Sequence, residues 1–313
     1  MELNILTKEN IMSMKADTVI EGYILIRTYQ EKPTSNGTST FLTGTAEGIG
    51  AVPFKVWKKK EAFDTMKSTD LSNRICKILG AVSEYNNSIS IVIDNIEPYE
   101  GDELTFDQFI EKRYDEDELW EKLNKVITSM CTPEAVEVWC AIITPIKDRF
   151  RKEYAAVNHH DNCINGLLAH TCKVVRIAQV IKFYPTLQDA VTSDALIIGC
   201  AVHDVGKVLE YNNGTVSEQG KLLNHLTLGL GLIMPHKDKI VSLKGQDFYD
   251  TLLSVVQQHH GEYGERPKTL AAYLVHLFDM LESRLADASL AVETSLTDTI
   301  KCDEFHLRFK KVE

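Results

Sequence analysis

The chain has 313 residues, 44% of them apolar, and carries a formal net charge of −11. That length accommodates two domains, or one large domain with an added module. The acidic balance excludes a histone-like or strongly basic nucleic-acid binder but leaves room for a local basic groove.

Up to about residue 100 the pattern is that of strands. Thr18–Arg27, rich in β-branched and aromatic residues, predicts the first strand. Ser35-Asn36-Gly37 predicts a turn, followed by strands over 40–45 and 51–57. A short helix to Leu71 and a hairpin of 74–82 with 88–93 around Asn86-Asn87 complete the module. Three strands, a helix and two strands is the element order of an OB-fold, a small Greek-key barrel. The expected fold class is therefore α+β with two domains, an N-terminal OB-fold β-barrel (1–100) followed by an all-α domain. Between them, residues 101–130 read as an acidic linker and a helix whose first-turn carboxylates suit the dipole.

From about 119 the apolar residues recur at helical spacing, in 119–130, 134–150, 164–183, 190–203, 220–234, 248–259 and 269–290. Pro133 stands where an N1 proline belongs, with Thr132 before it as a cap. The last residues, 298–313, form a basic tail of undecided structure. Seven cysteines, an odd number without a C-x-x-C pair, read as reduced cytosolic thiols. No basic-then-apolar leader opens the sequence and no apolar run reaches bilayer length, so the expected location is the cytoplasm, with no membrane partner.

The chemistry concentrates in the helical half. His203-Asp204 ends the apolar run Ala195–Val202 and is followed by Gly206-Lys207. His170, His225, His259, His260 and Asp279 lie on separate apolar segments around it. Mixed imidazole and carboxylate ligands suit first-row divalent metals. Asp279 is the telling member, because an unpaired aspartate inside an apolar helix is costly to bury and calls for a cation or several donors. So many ligands exceed one tetrahedral site and suit two ions bridged by a carboxylate, for which Asp204 is the natural candidate. Such a pair serves phosphoester hydrolysis. In the strand half, Tyr23, Phe41, Phe54 and Trp57 are candidates to stack bases and Arg27, Lys32, Lys55, Lys58, Lys59 and Lys60 to track phosphates. Alternation places Phe54 and Val56 on one face of their strand and Lys55 and Trp57 on the other. The competing reading is that half of these aromatics fill the barrel. Tyr211 and Tyr263 are candidate pocket aromatics.

The His203-Asp204-Val205-Gly206-Lys207 signature, Gly166–Thr171, Glu218–His225, His259-His260-Gly261-Glu262-Tyr263-Gly264 and His276–Asp279 with Ser283-Arg284 resemble the HD-domain metal-dependent phosphohydrolases. The whole chain resembles the YhaM-type 3′–5′ exoribonucleases, which join an OB-fold to an HD domain. The resemblance assigns residues 131–297 to the HD domain. It implies one ion held by His170, His203, Asp204 and Asp279, and a second held by Asp204, His225 and His259, with His260 a ligand or a supporting donor. Catalytic roles fall to Asp204 and to Lys207, and supporting hydrogen-bond roles to His159, His160, His276 and Arg284. The implied cofactor is a divalent metal, two ions per chain, among Mn, Mg, Fe and Co. The implied partner is single-stranded RNA or DNA, and a homo-oligomer is compatible with the sequence. The implied function is a metal-dependent 3′–5′ exonuclease whose OB-fold holds the strand. The scarcity of basic residues in the strand half motivates an alternative, a phosphohydrolase of nucleotides or cyclic nucleotides with the OB module used for assembly. A second alternative is a non-catalytic nucleic-acid-binding protein with a structural metal site.

Overall fold

In the N-terminal half, alternating apolar residues have one side to bury, and they do so by closing the sheet on itself. The computed structural model describes residues 3–85, 88–110, 112–156, 163–190, 192–294, 299–302 and 305–308. It divides into two compact units, 1–111 and 112–313. The first contains α1 (Lys8–Ser13), β1 (Val19–Pro33), β2 (Thr40–Glu47), β3 (Ala51–Trp57), α2 (Glu61–Ser68), β4 (Arg74–Tyr85) and β5 (Ser88–Pro98). The strands form a closed barrel in the order β1-β2-β3-β5-β4. β4 returns antiparallel onto β1, and β3 meets β5 in parallel. This is the OB-fold arrangement expected from the element order. Phe54 and Val56 point into the barrel with Ile24, Ile26, Ile78 and Ile91, all essentially inaccessible to solvent. Ala62, Phe63 and Met66 of α2 join the same core.

The second unit contains α3 (Glu116–Met130), α4 (Pro133–Ile143), α5 (Lys147–Lys152), α6 (Gly166–Ala178), α7 (Pro185–Ala190), α8 (Ser193–Val202) and α9 (Lys207–Glu210). A small hairpin of β6 (Tyr211–Asn212) and β7 (Thr215–Val216) follows. Then come α10 (Glu218–Leu222), α11 (His225–Ile233), α12 (Lys237–Lys244), α13 (Gln246–Gln258) and α14 (Leu270–Thr294). A second hairpin, β8 (Thr299–Cys302) with β9 (Phe305–Arg308), lies in the basic tail. Asp115 caps α3 by accepting from the Glu118 amide at 2.8 Å, as the acidic first turn predicts. α8 is buried from Asp194 to Val202 and has no polar face, so it can only lie at the centre of the unit. Leu167, Leu168, Val174 and Val175 of α6, Leu252 and Val255 of α13 and Val275 of α14 share its core.

Two predicted helices are broken in the structure. The helix expected over 134–150 is interrupted by a 3-10 turn, Thr144–Ile146, because Pro145 removes a backbone donor and its ring crowds the preceding turn. The helix expected over 220–234 is split at Leu223-Asn224, where Asn224 caps α11 by accepting from the Thr227 amide. Thr132 stands at the N-cap of α4, but its hydroxyl does not cap; it donates to the buried Asp194 carboxylate, which also binds Lys244. Among the described residues, Cys76, Cys131, Cys140, Cys163, Cys172 and Cys200 are free thiols. No described helix is long and apolar enough to cross a membrane.

Candidate metal centre

Helix ends in the second unit deliver the polar side chains to one point. His203 is the C-cap residue just past the end of the buried α8, with Asp204 in the turn that follows. His225 opens α11, and His259 closes α13 with His260 beside it. His170 and Asp279 come from the interiors of α6 and α14. These helices pack on a common core, so residues far apart in sequence meet. Asp279 Oδ1 lies 3.1 Å from His170 Nε2 and 3.9 Å from His203 Nε2. Asp204 sits between two groups of imidazoles. Its Oδ2 is 3.4 Å from both His170 Nε2 and His203 Nε2, while its Oδ1 is 3.6 Å from His225 Nε2 and 3.5 Å from His259 Nε2. His203, His259, His170 and Asp204 are all buried.

The far nitrogens of these imidazoles are already engaged. His203 Nδ1 donates to the Cys200 carbonyl at 2.8 Å, and His259 Nδ1 to the Val256 carbonyl at 3.0 Å. His170 Nδ1 is 2.6 Å from Glu282 Oε2, and His225 Nδ1 is 2.8 Å from Glu210 Oε2. A proton fixed on Nδ1 leaves the lone pair of a neutral ring on Nε2. Those lone pairs converge: His170 Nε2 is 3.2 Å from His203 Nε2, and His225 Nε2 is 3.0 Å from His260 Nε2. Lone pairs this close repel unless a positive charge stands among them. Asp204 Oδ1 and His259 Nε2 are buried without any hydrogen-bond partner. Leaving a buried polar atom unsatisfied costs about 1–3 kcal/mol, which a bound cation removes. Ligand atoms of His170, His203 and Asp279, of His203, Asp204 and His259, and of His225, His259 and His260 fall within 4.8 Å of one another. The donor set and its unsatisfied atoms fit a divalent cation.

The electrostatics point the same way. Burial alone would push His170 down, but hydrogen bonds to Asp279 and Glu282, reinforced by the Asp204 charge, raise it to about 10. The carboxylates thus favour positive charge at this point. Burial opposes ionisation of Asp204 as well, yet Lys207 and His203 hold it well below the usual carboxylate range. The Lys207 ammonium lies 2.6 Å from Asp204 Oδ2. His260 is lowered to about 4, by burial and then by its neighbours His259 and His225, which leaves its ring neutral and its lone pair available.

Glu282 and Glu210 were not among the candidates read from the sequence. Each anchors a candidate ligand, and Glu282 also takes Lys173 Nζ at 3.2 Å. A signal existed: Glu282 follows Asp279, and Glu210 follows Lys207, by one helical turn on the same face. A cavity of about 520 Å³ opens on the cluster and is also lined by Lys207, Tyr263, His276, Met280 and Arg284. His276 donates from Nδ1 to the His259 carbonyl at 2.8 Å and so braces the turn that carries His259 and His260. Tyr211 does not line the cavity; it begins β6, and its carbonyl accepts from Arg149. His159 and His160 lie outside the described residues.

On the barrel, Phe41 and Trp57 face each other across β2 and β3 with ring centroids 5.1 Å apart, and Trp57 remains 40% exposed. Lys55 stands two residues before Trp57, with its Nζ 5.9 Å from the ring centre of Tyr85, an exposed aromatic that the sequence reading did not include. Lys58 follows on the exposed turn after β3. Tyr23 does not belong to this group. It sits towards the other end of β1, edge-on to Tyr99 at 5.2 Å, whereas Lys32 is the β1 residue opposite Phe41. A long strand on a barrel separates residues that composition alone had grouped.

Residues 167–284 match the HD domain family model. Along nearly its whole length the chain is similar to curated proteins named 3′–5′ exoribonuclease YhaM. It is 26% identical to that of Geobacillus sp. (strain WCH70), over 97% of this chain and 93% of that protein. It is 24% identical to that of Listeria innocua, over 96% and 95%, and 24% identical to that of Bacillus velezensis, over 91% of each.

Proposed function

We propose, on the premise that the chain is of the YhaM type, an HD domain preceded by an OB-fold barrel, that it is a divalent-metal-dependent 3′–5′ exonuclease of single-stranded RNA. The observation that carries this reading is Asp204, buried with its two oxygens turned to separate sets of imidazole nitrogens beside a cavity that would admit a nucleotide. His170, His203 and Asp279 with Asp204 Oδ2 would hold one ion. His225, His259 and His260 with Asp204 Oδ1 would hold the other. Bound there, the ions would supply Lewis acidity towards a phosphoryl oxygen and lower the pKa of water. The chain's own residues do the rest. Glu282, Glu210 and the carbonyls of Cys200 and Val256 fix the imidazole tautomers and so turn Nε2 of each ring towards the ions. Lys207 brings a positive charge to the cavity, where charge builds on the phosphoryl oxygens.

The test is a time course on a 5′-labelled single-stranded RNA with Mn²⁺ or Mg²⁺. The label should remain on a ladder that shortens from the 3′ end, and chelation should stop it. An intact strand, or early release of the label, defeats the proposal. Faster turnover of mononucleotides or cyclic dinucleotides than of oligonucleotides would favour the small-nucleotide alternative instead.

Strand holding by the barrel is part of the same proposal, resting on the exposed Trp57 ring against Phe41, next to Lys55 and Tyr85. Base–aromatic stacking contributes about 1–3 kcal/mol per base. Trp57→Ala should therefore raise KM for a long RNA about tenfold and leave kcat in place. An unchanged KM would remove the barrel from substrate binding.

A further inference from the structure

We propose that Tyr263 is the platform on which the 3′-terminal base of the strand stacks while its phosphodiester lies at the metal centre; this rests on the exonuclease reading. Tyr263 is 76% exposed, yet it lines the cavity that contains the candidate ligands. Met280, 39% exposed and adjacent to Asp279, lines it too. The cavity thus joins a charged cluster to an apolar surface. A bare phosphate or a sugar phosphate has no use for that surface, whereas a nucleotide presents an anion and a flat π-face on one molecule.

The backbone that carries the ring is held in register with the centre. Tyr263 ends the single 3-10 turn, Gly261–Tyr263, that follows His259 and His260 directly. Its amide donates to the His260 carbonyl at 3.2 Å. Gly261 has φ +59, and a Cβ there would stand 2.4 Å from the His276 ring, so the turn lies tight against the side chain that braces His259. At the far end of the segment, the Lys268 amide donates to the buried Gln258 side chain at 2.9 Å. An aromatic on a turn anchored this closely to the candidate ligands needs no backbone ordering when a base arrives. Stacking is also indifferent to base identity, which suits an enzyme that must remove every nucleotide it meets.

The test compares first-nucleotide release from two RNAs that differ only at the 3′-terminal residue, one normal and one abasic, by wild type, Tyr263→Phe and Tyr263→Ala. On the normal RNA, Tyr263→Ala should raise KM about tenfold and Tyr263→Phe should match wild type. On the abasic RNA, wild type should already show the higher KM, and Tyr263→Ala should add less than twofold. Equal losses on both substrates, or no loss on the normal one, overturn the assignment. If wild type releases nothing from either RNA, the exonuclease reading itself falls and this assignment falls with it.

Discussion

Asp204→Asn should fold, lose stoichiometric metal and lose at least about a thousandfold in kcat, because a metal pair contributes several kcal/mol of charge stabilisation and each 1.36 kcal/mol is tenfold in rate. The asparagine amide occupies nearly the same volume, and its oxygen can still accept from Lys207, which stands 2.6 Å from Asp204 Oδ2. The two-sided negative charge is what disappears. One side of the residue would then present N–H donors towards imidazoles whose lone pairs are held ready by Glu282, Glu210 and two backbone carbonyls. A cation between them would face a positive dipole instead of a carboxylate oxygen. Elemental analysis of the purified variant, its melting temperature without metal, and its rate on labelled RNA separate loss of ligand from loss of fold. A variant that keeps wild-type metal content and a rate within tenfold would show that Asp204 is not a ligand.

The candidate ligands were readable from the sequence because each carries its own warning: a histidine or aspartate embedded in an apolar helix or at its end. Their convergence was an inference from that cost of burial. The partners of the far nitrogens were not readable in the same way. The Cys200 and Val256 carbonyls are freed only because α8 and α13 end at His203 and His259. Glu282 becomes informative only once α14 lies against α6. In the barrel, the element order followed from strand and turn signals, and alternation placed Phe54 and Val56 on one face; that this face is the inward one, which removes Phe54 as a stacking candidate, appears only in the closed barrel. The length of β1 did not: beyond Arg27 its residues are largely exposed, so the alternation fades although the pairing with β2 runs on to Pro33. The Asn213-Gly214 turn between β6 and β7 carried a hairpin signal that the reading passed over, because the two-residue strands beside it have no periodicity to detect.

Gly206→Ala should be strongly destabilising, and its cause is space. The residue has an ordinary helical φ of −66, so conformational freedom is not at issue. A Cβ there would fall 1.9 Å from the His225 carbonyl oxygen and 2.5 Å from the Gly229 amide nitrogen. Both obstacles are backbone, so no rotamer change relieves them, and α11 must move as a body. Overpacking of this kind costs about 3 kcal/mol or more, a fall in Tm of roughly 6–12 °C for a unit of this size. The displaced helix begins at His225, so the site should open on the side facing Asp204 Oδ1, and metal content should fall with stability. The control lies on the same helix. A Cβ at Gly231 meets nothing within 4 Å, and Gly231→Ala should stabilise by about 0.5–1 kcal/mol through helix propensity. Thermal melts of both variants with parallel metal analysis test the argument. Equal effects at the two positions would mean that α9 and α11 do not meet as closely as Gly206 requires.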